Sequence, residues 1–148
     1  MSCTVVKKAP YDAFHFENNI NIDGNLTKDQ KIDLKTRLFT QLEDSVQVRI
    51  ASKIPWPAFP FVIPVKVMER PSVFNEKAVD QSVFNMRNLM TSIGYRKTTI
   101  EFDTTLALVK NQKRVTTSFA VHAGPLYTID TILYAFTDSA LLKLSKQE

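Results

Sequence analysis

The stretch TIEFDTTLALVKNQKRVTTSFAV, residues 99–121, decides the fold of this chain. Apolar and polar residues alternate along it on both sides of a basic segment, Lys110–Lys113. Alternation with a period of two is typical of strands that bury one face, and antiparallel hairpins commonly expose the other face to solvent. The stretch therefore predicts an antiparallel hairpin that is covered on one side by helices.

Two amphipathic helices are predicted before this hairpin. The segment Thr27-Lys28-Asp29-Gln30 has the pattern of a capping box, and the leucines that follow it at four-residue spacing predict a helix over 28–43. Asn75 is suited to cap a second helix. Gly94 stands where a left-handed residue would end that helix. The apolar stripe of the second helix consists of Val79, Val83, Met86, Met90 and Ile93.

A strand is predicted ahead of the first helix. Apolar residues share one parity in residues 13–23, namely Phe14, Phe16, Ile20 and Ile22. Gly24 then ends the pattern. The order of elements is strand, helix, helix, strand, strand, which indicates an α+β fold.

The segment between the predicted helices, residues 46–71, contains five of the seven prolines. Proline lacks an amide donor and fixes φ, so neither a helix nor a central strand is expected there. The segment is nevertheless apolar, with aromatic residues at Trp56, Phe59 and Phe61. It is expected to pack as an extended arm. Two roles are open to it, a cover over a hydrophobic face or a docking surface for a partner.

The composition excludes several classes of site. The 148 residues carry a formal net charge of +4 and include three glycines, too few for a Rossmann or P-loop phosphate site. The single cysteine, Cys3, excludes an internal disulfide and a cysteine-based zinc site. The basic run Lys110–Arg114 lacks the aromatic residues of an RNA-binding sheet. We therefore expect no cofactor, no metal and no nucleic-acid partner.

Few residues are candidates for catalysis. Glu101 and Asp103 lie two apart on the polar side of a predicted strand, and paired carboxylates can carry out general acid–base chemistry. His122 has the polar parity of the next strand. Surface carboxylates at this spacing and isolated histidines are commoner as structural features, so a non-enzymatic protein is expected. The alternative, a small α+β enzyme, predicts a concave pocket that joins these three residues.

Three short motifs make the chain resemble a POTRA (polypeptide-transport-associated) domain. They are Ile20-Asn21-Ile22-Asp23-Gly24 after the first strand, Gly94-Tyr95 after the second helix and Gly124-Pro125-Leu126-Tyr127-Thr128-Ile129 after the hairpin. The resemblance implies a β-α-α-β-β fold with two helices on one face of a three-stranded mixed sheet. The chain departs from the family in the long Pro-rich insertion, 46–71.

The same resemblance suggests how the chain is divided. Residues 1–12 would form an N-terminal tether, and 13–127 one POTRA-like domain. Residues 128–148 would begin a following repeat that the sequence truncates. A strand predicted over 127–136 and a helix over 140–146 fit such a start.

The closer resemblance is to the TamA-like, BamA-related outer-membrane assembly proteins of Bacteroidetes. Several members are lipoproteins with a cysteine-led tether, which implies that Cys3 is lipidated. The resemblance implies a non-enzymatic module at the periplasmic face of the bacterial outer membrane, next to further POTRA repeats and a C-terminal β-barrel. Contact with the membrane would then be made only through a lipid anchor or the barrel.

The resemblance also implies the partners. They would be unfolded outer-membrane protein clients or accessory lipoproteins, and a client would bind by adding a strand to an exposed sheet edge. Residues 98–108 would form that edge, with contacts at Thr98, Thr99, Ile100, Thr104 and Thr105. A proline at Thr105 is expected to weaken client binding while the fold stays intact. The candidate anchors for an accessory lipoprotein are Trp56, Phe59 and Phe61, because aromatic residues concentrate interface energy.

Overall fold

The computed structural model describes residues 4–53 and 65–131. Within them lie two helices and six strands: β1 Thr4–Lys7, β2 Phe14–Asp23, α1 Lys28–Phe39, β3 Ile50–Lys53, β4 Val65–Glu69, α2 Glu76–Ser92, β5 Thr99–Val109 and β6 Gln112–His122. The strands form two three-stranded sheets, with strand orders β2-β6-β5 and β1-β4-β3. No helix in the described ranges is long and apolar enough to cross a membrane.

The main sheet, β2-β6-β5, is mixed. Its central strand β6 pairs parallel with β2 and antiparallel with β5. The predicted hairpin is confirmed as β5-β6, with a two-residue turn at Lys110 and Asn111. Both turn residues have positive φ, 48° and 61°, as in the turns that match the twist of paired strands. The predicted α+β class, with two helices and a mixed three-stranded sheet, is therefore confirmed.

The main hydrophobic core lies between this sheet and the two helices. The buried helical residues are Leu34 and Leu38 of α1 and Ala78, Val79, Met86 and Met90 of α2. The buried sheet residues that join them are Ile20, Ile22, Ile100, Phe119 and Val121. These sheet residues alternate along their strands and therefore share one face, as the sequence pattern predicts.

Both helices begin at the predicted caps. The backbone N–H of Gln30 donates to the Thr27 hydroxyl at 3.3 Å, and the Thr27 N–H donates to the Gln30 side chain at 2.9 Å. Helix α1 ends at Phe39, four residues before the predicted end. The Ser82 hydroxyl of α2 accepts the N–H of Glu43 at 3.0 Å, so the segment after α1 contacts α2 where a last helical turn was predicted.

Gly94 ends the second helix as predicted, in a left-handed conformation with φ of +100°. The N–H of Tyr95 donates back to the carbonyl of Met90 at 2.8 Å. A Cβ at position 94 would also lie 2.7 Å from the carbonyl oxygen of Tyr127. Glycine is therefore required here both by the backbone conformation and by the close approach of the C-terminal segment.

The second sheet, β1-β4-β3, corrects two predictions. Thr4–Lys7, expected to be part of a tether, pair parallel with β4. Within the insertion 46–71, β3 and β4 form an antiparallel pair, and β4 is a central strand. The physical reason is that β3 and β4 contain no proline, since Pro55, Pro57, Pro60 and Pro64 all lie between them, outside the described residues. Strands of four or five residues are too short to show a clear periodicity.

The predicted strand over 127–136 is wrong for residues 127–131, which form no strand. The N–H of Tyr127 instead donates to the carbonyl of Gly94 at 3.0 Å, so this segment packs against the end of α2. The remainder of that predicted strand and the predicted helix over 140–146 lie outside the described residues.

Candidate functional site

The candidate site is the outer edge of the main sheet at β5. Strand β5 pairs with β6 on one side, and no described strand pairs with it on the other. The opposite edge, β2, is partly covered at its start. There the N–H of His15 donates to the carbonyl of Ser72 at 3.0 Å, and the N–H of Phe74 donates to the carbonyl of Ala13 at 2.7 Å. Among the described residues, β5 is therefore the more accessible edge of this sheet.

The hairpin register determines which backbone groups of β5 face outward. A two-residue turn makes the flanking pair, Val109 and Gln112, a hydrogen-bonded pair. Antiparallel pairs alternate between bonded and non-bonded, so the odd-numbered residues of β5 bond to β6. The N–H and C=O groups of the even-numbered residues, from Ile100 to Leu108, therefore point to the free edge. These five alternate residues make a template long enough for an added strand.

One outward-facing amide on β5 is already occupied. The N–H of Thr104 donates to the carboxylate of Asp103 at 2.9 Å. This bond agrees with the register, because an inward-facing amide would bond to β6. An incoming strand must displace the Asp103 carboxylate before it can pair with Thr104, near the middle of the edge.

The second half of β5 exposes apolar side chains. Leu106 and Leu108 share a face with the buried Ile100, yet they are 61% and 71% exposed. The helices cover the first half of β5, where Ile100 is 5% exposed and Phe102 is partly buried against the core. Beyond Phe102 this face of β5 is open. The free edge therefore continues into an apolar strip that the described part of the chain leaves uncovered.

The contact residues predicted for the edge strand divide into three groups. Thr99, Thr104 and Thr105 are exposed on β5, as a contact role requires. Ile100 is buried in the core, and only its backbone faces the edge. Thr98 precedes the strand, and its hydroxyl donates to the carbonyl of Tyr95 at 2.9 Å, so it stabilises the turn after α2. The remaining candidates, Cys3, Trp56, Phe59 and Phe61, lie outside the described residues.

The predicted edge, 98–108, includes Asp103, Leu106 and Leu108, but the sequence does not single them out as side chains that shape it. The alternation presents Asp103 only as a possible acid or base, and the leucines only as members of an apolar face. The alternation alone does not show where along β5 the helices stop covering it. The relevant signal was the length of the hairpin, since eleven-residue strands extend past the part that the helices cover.

The candidate catalytic residues lie on the face of the sheet away from the helices. Glu101, Asp103 and His122 are all exposed, and none of them lines the main cavities of the described part of the chain. The His122 Nδ1 atom lies 3.7 Å from a carboxylate oxygen of Asp23. The concave pocket that the enzyme hypothesis requires is thus not formed by these residues.

No group of three or more His, Cys, Asp or Glu residues suited to a metal ion occurs in ranges 4–53 and 65–131. A scan against protein-family models finds no match to the chain, and a search of curated proteins finds no similar sequence. The resemblance to POTRA domains therefore rests on its motifs and on the order of the elements.

Proposed function

We propose that this chain is a non-enzymatic protein-interaction module that binds an extended segment of a partner by strand addition to β5. The observation that carries the proposal is the unpaired edge of this strand, which presents outward-facing backbone groups at five alternate positions. Backbone pairing provides affinity without a strict requirement for sequence. Such a site suits a protein that must bind many different clients.

The exposed leucines indicate the pattern of the strand that fits. A strand beside β5 would place alternate side chains next to Leu106 and Leu108, on the face that the helices leave open. Apolar side chains of the added strand would be stabilised by these leucines. The side chains on the opposite face of the added strand would lie beside Thr105 and contact solvent. The preferred ligand is therefore an extended segment in which apolar and polar residues alternate.

The finer part of the proposal is a POTRA-like domain of an outer-membrane assembly factor. The order β2-α1-α2-β5-β6, with a Pro-rich insertion between the helices, supports it, as do the positions of Gly24, Gly94 and Gly124 at element ends. Unfolded outer-membrane proteins fit as clients, because the strands of membrane β-barrels alternate between apolar and polar residues. The proposed location is the periplasmic face of the outer membrane.

The register selects the substitution that tests strand addition. Thr105→Pro, the substitution suggested by the sequence, is unsuitable because the Thr105 amide faces β6 and belongs to the ladder. The Thr104 amide faces outward, and proline is tolerated on edge strands where the N–H faces solvent. Thr104→Pro removes one outward donor and places its ring where an added strand would lie.

The experiment measures binding of a fluorescent nine-residue peptide with alternating apolar and polar residues. Thr104→Pro is expected to weaken binding about tenfold, since a donor is lost and the edge is sterically blocked. Thr104→Ala, which keeps the amide, is the matched control and should bind as the wild type does. A peptide of the same composition with its apolar residues grouped should bind poorly. Equal binding by Thr104→Pro, with an unchanged circular dichroism spectrum, would overturn the proposal.

A further inference from the structure

A cavity of about 390 Å³ lies apart from the β5 edge, between the start of β2, the loop before β3 and the end of β4. Its polar lining residues are His15, Asp44, Ser45, Gln47, Arg49, Arg70 and Ser72. His15 is the most deeply buried of them, with 2% of its surface exposed. The cavity therefore has a buried imidazole and two guanidinium groups in its walls.

The imidazole of His15 has no hydrogen-bond partner on either ring nitrogen among the described residues. Its ring centroid lies 5.0 Å from that of Phe74, and its backbone N–H donates to the carbonyl of Ser72. Buried polar groups in folded proteins nearly always have a partner. An unpaired imidazole that lines a cavity of this size can therefore hydrogen-bond to a group within the cavity.

The charged groups around the cavity indicate the kind of partner. Arg49 lies 3.6 Å from the Asp44 carboxylate in an exposed pair. Arg70 takes part in none of the ion pairs observed between described side chains. Two guanidiniums against one carboxylate leave a net positive charge in the lining, and the guanidinium fork matches the oxygens of carboxylates and phosphates.

We propose that this cavity binds a small ligand with an anionic oxygen group, a carboxylate or a phosphate. The guanidiniums of Arg70 and Arg49 would contact the anion, and the imidazole of His15 would hydrogen-bond to the ligand inside the cavity. No covalent step is involved. The site is separate from the β5 edge, so strand binding and anion binding can each fail without the other.

Binding of an anion is linked to protonation of His15. Burial lowers the pKa of the imidazole below its ordinary value, and the Glu43 carboxylate opposes part of that shift. The other charged groups around the cavity are Asp44, Arg49 and Arg70. A bound anion favours the imidazolium form, so it raises the pKa of His15 and takes up a proton. The anion should therefore bind more tightly at pH 5.5 than at pH 7.5.

The test follows both histidine rings of the full chain by NMR between pH 5 and 8. Sodium sulfate serves as the phosphate-like probe and sodium formate as the carboxylate probe, each compared with sodium chloride at equal ionic strength. His122, which is exposed and lies outside the cavity, is an internal control. A rise in the pKa of His15 but not of His122 is expected with at least one probe. The probe that causes it identifies the class of anion.

Two variants test the lining. Arg70→Gln should weaken anion binding about fivefold, because a charge-assisted contact is lost. Asp44→Asn should strengthen it, because a repulsive charge is removed and Arg49 is released. Equal pKa values of His15 in all three salts would overturn the proposal. Anion affinities that neither variant changes would also overturn it and would leave ordered water as the partner of His15.

Discussion

The two edges of the main sheet differ in how far they are covered by other parts of the chain. At β2, residues 72–74 pair with the start of the strand, and a bulge interrupts the register between His15 and Glu17. At β5 the pairing with β6 is regular over all eleven residues, and the Asp103 carboxylate accepts from an outward-facing amide, that of Thr104. Covered and bulged edges resist pairing with other chains. Within ranges 4–53 and 65–131, the chain therefore covers the start of one edge with its own residues 72–74 and leaves the other edge unpaired.

The covered edge depends on Phe14, whose side chain is fully buried. Phe14→Ala should lower the free energy of unfolding by about 3–5 kcal/mol, because it leaves a cavity in place of a fully buried ring. Urea unfolding monitored by circular dichroism measures the change. The matched control is Val73→Ala, which trims a half-exposed side chain in the same bridge and should cost about 0.5 kcal/mol. Similar losses in both variants would show that Phe14 does not hold this edge.

Single proline substitutions at two adjacent positions of β5 should differ in stability, because one amide faces β6 and the other faces the free edge. Thr105→Pro removes a ladder bond to β6 and should cost about 3 kcal/mol or more of stability. Thr104→Pro removes only an outward-facing amide, so its cost should be clearly smaller. Thermal unfolding of the two variants measures the difference. If Thr104→Pro were the more destabilising variant, the register inferred for the free edge would be wrong.

The covered edge should also make stability depend on pH through His15. The pKa of His15 is lowered in the folded chain, so below about pH 6.5 the unfolded chain binds more protons than the folded chain does. The stability contributed by neutral His15 is present above that pH and is lost as the pH falls through the lowered pKa. Urea midpoints in chloride buffers between pH 7.5 and 5 measure this loss. His15→Gln should show a flatter profile, and an equally steep one would contradict the assignment.

The smallest expected effect concerns Asp103, whose carboxylate accepts the outward-facing amide of Thr104. Asp103→Ala frees the Thr104 amide, which should strengthen binding of the alternating peptide about two- to fivefold, the value of one net hydrogen bond. Glu101→Ala is the matched control, because Glu101 is an exposed carboxylate on the same face of β5. Fluorescence anisotropy compares the two variants. An equal gain in both would assign the effect to charge alone.

Local signals predicted much of the fold correctly. The capping box at Thr27, the cap at Asn75 and the left-handed position of Gly94 depend on residues close together in the chain, and all three are observed. The alternation in residues 99–121 likewise predicted the hairpin. The path of the chain after α1 could not be predicted, because the Glu43 N–H there donates to the hydroxyl of Ser82, which is far away in sequence.

The candidate site was predicted only in outline. The exposed threonines of β5 were identified, whereas the position of Ile100 in the core and the role of Thr98 in a turn were not. Which amides face outward depends on the pairing of Val109 with Gln112, and a one-residue change in register would reverse it. The predicted roles of Trp56, Phe59, Phe61 and Cys3 stay predictions.

The sequence by itself determined the two helices, their caps, the hairpin and the α+β class, because periodicity and capping act over a few residues. The tertiary structure decided the second sheet, the choice of β5 as the open edge and the burial of His15. Each of these depends on distant segments meeting, as when β1 pairs with β4 or Ser72 meets His15. Such contacts gain their stability from burial and backbone pairing across the whole chain, and no local pattern specifies them.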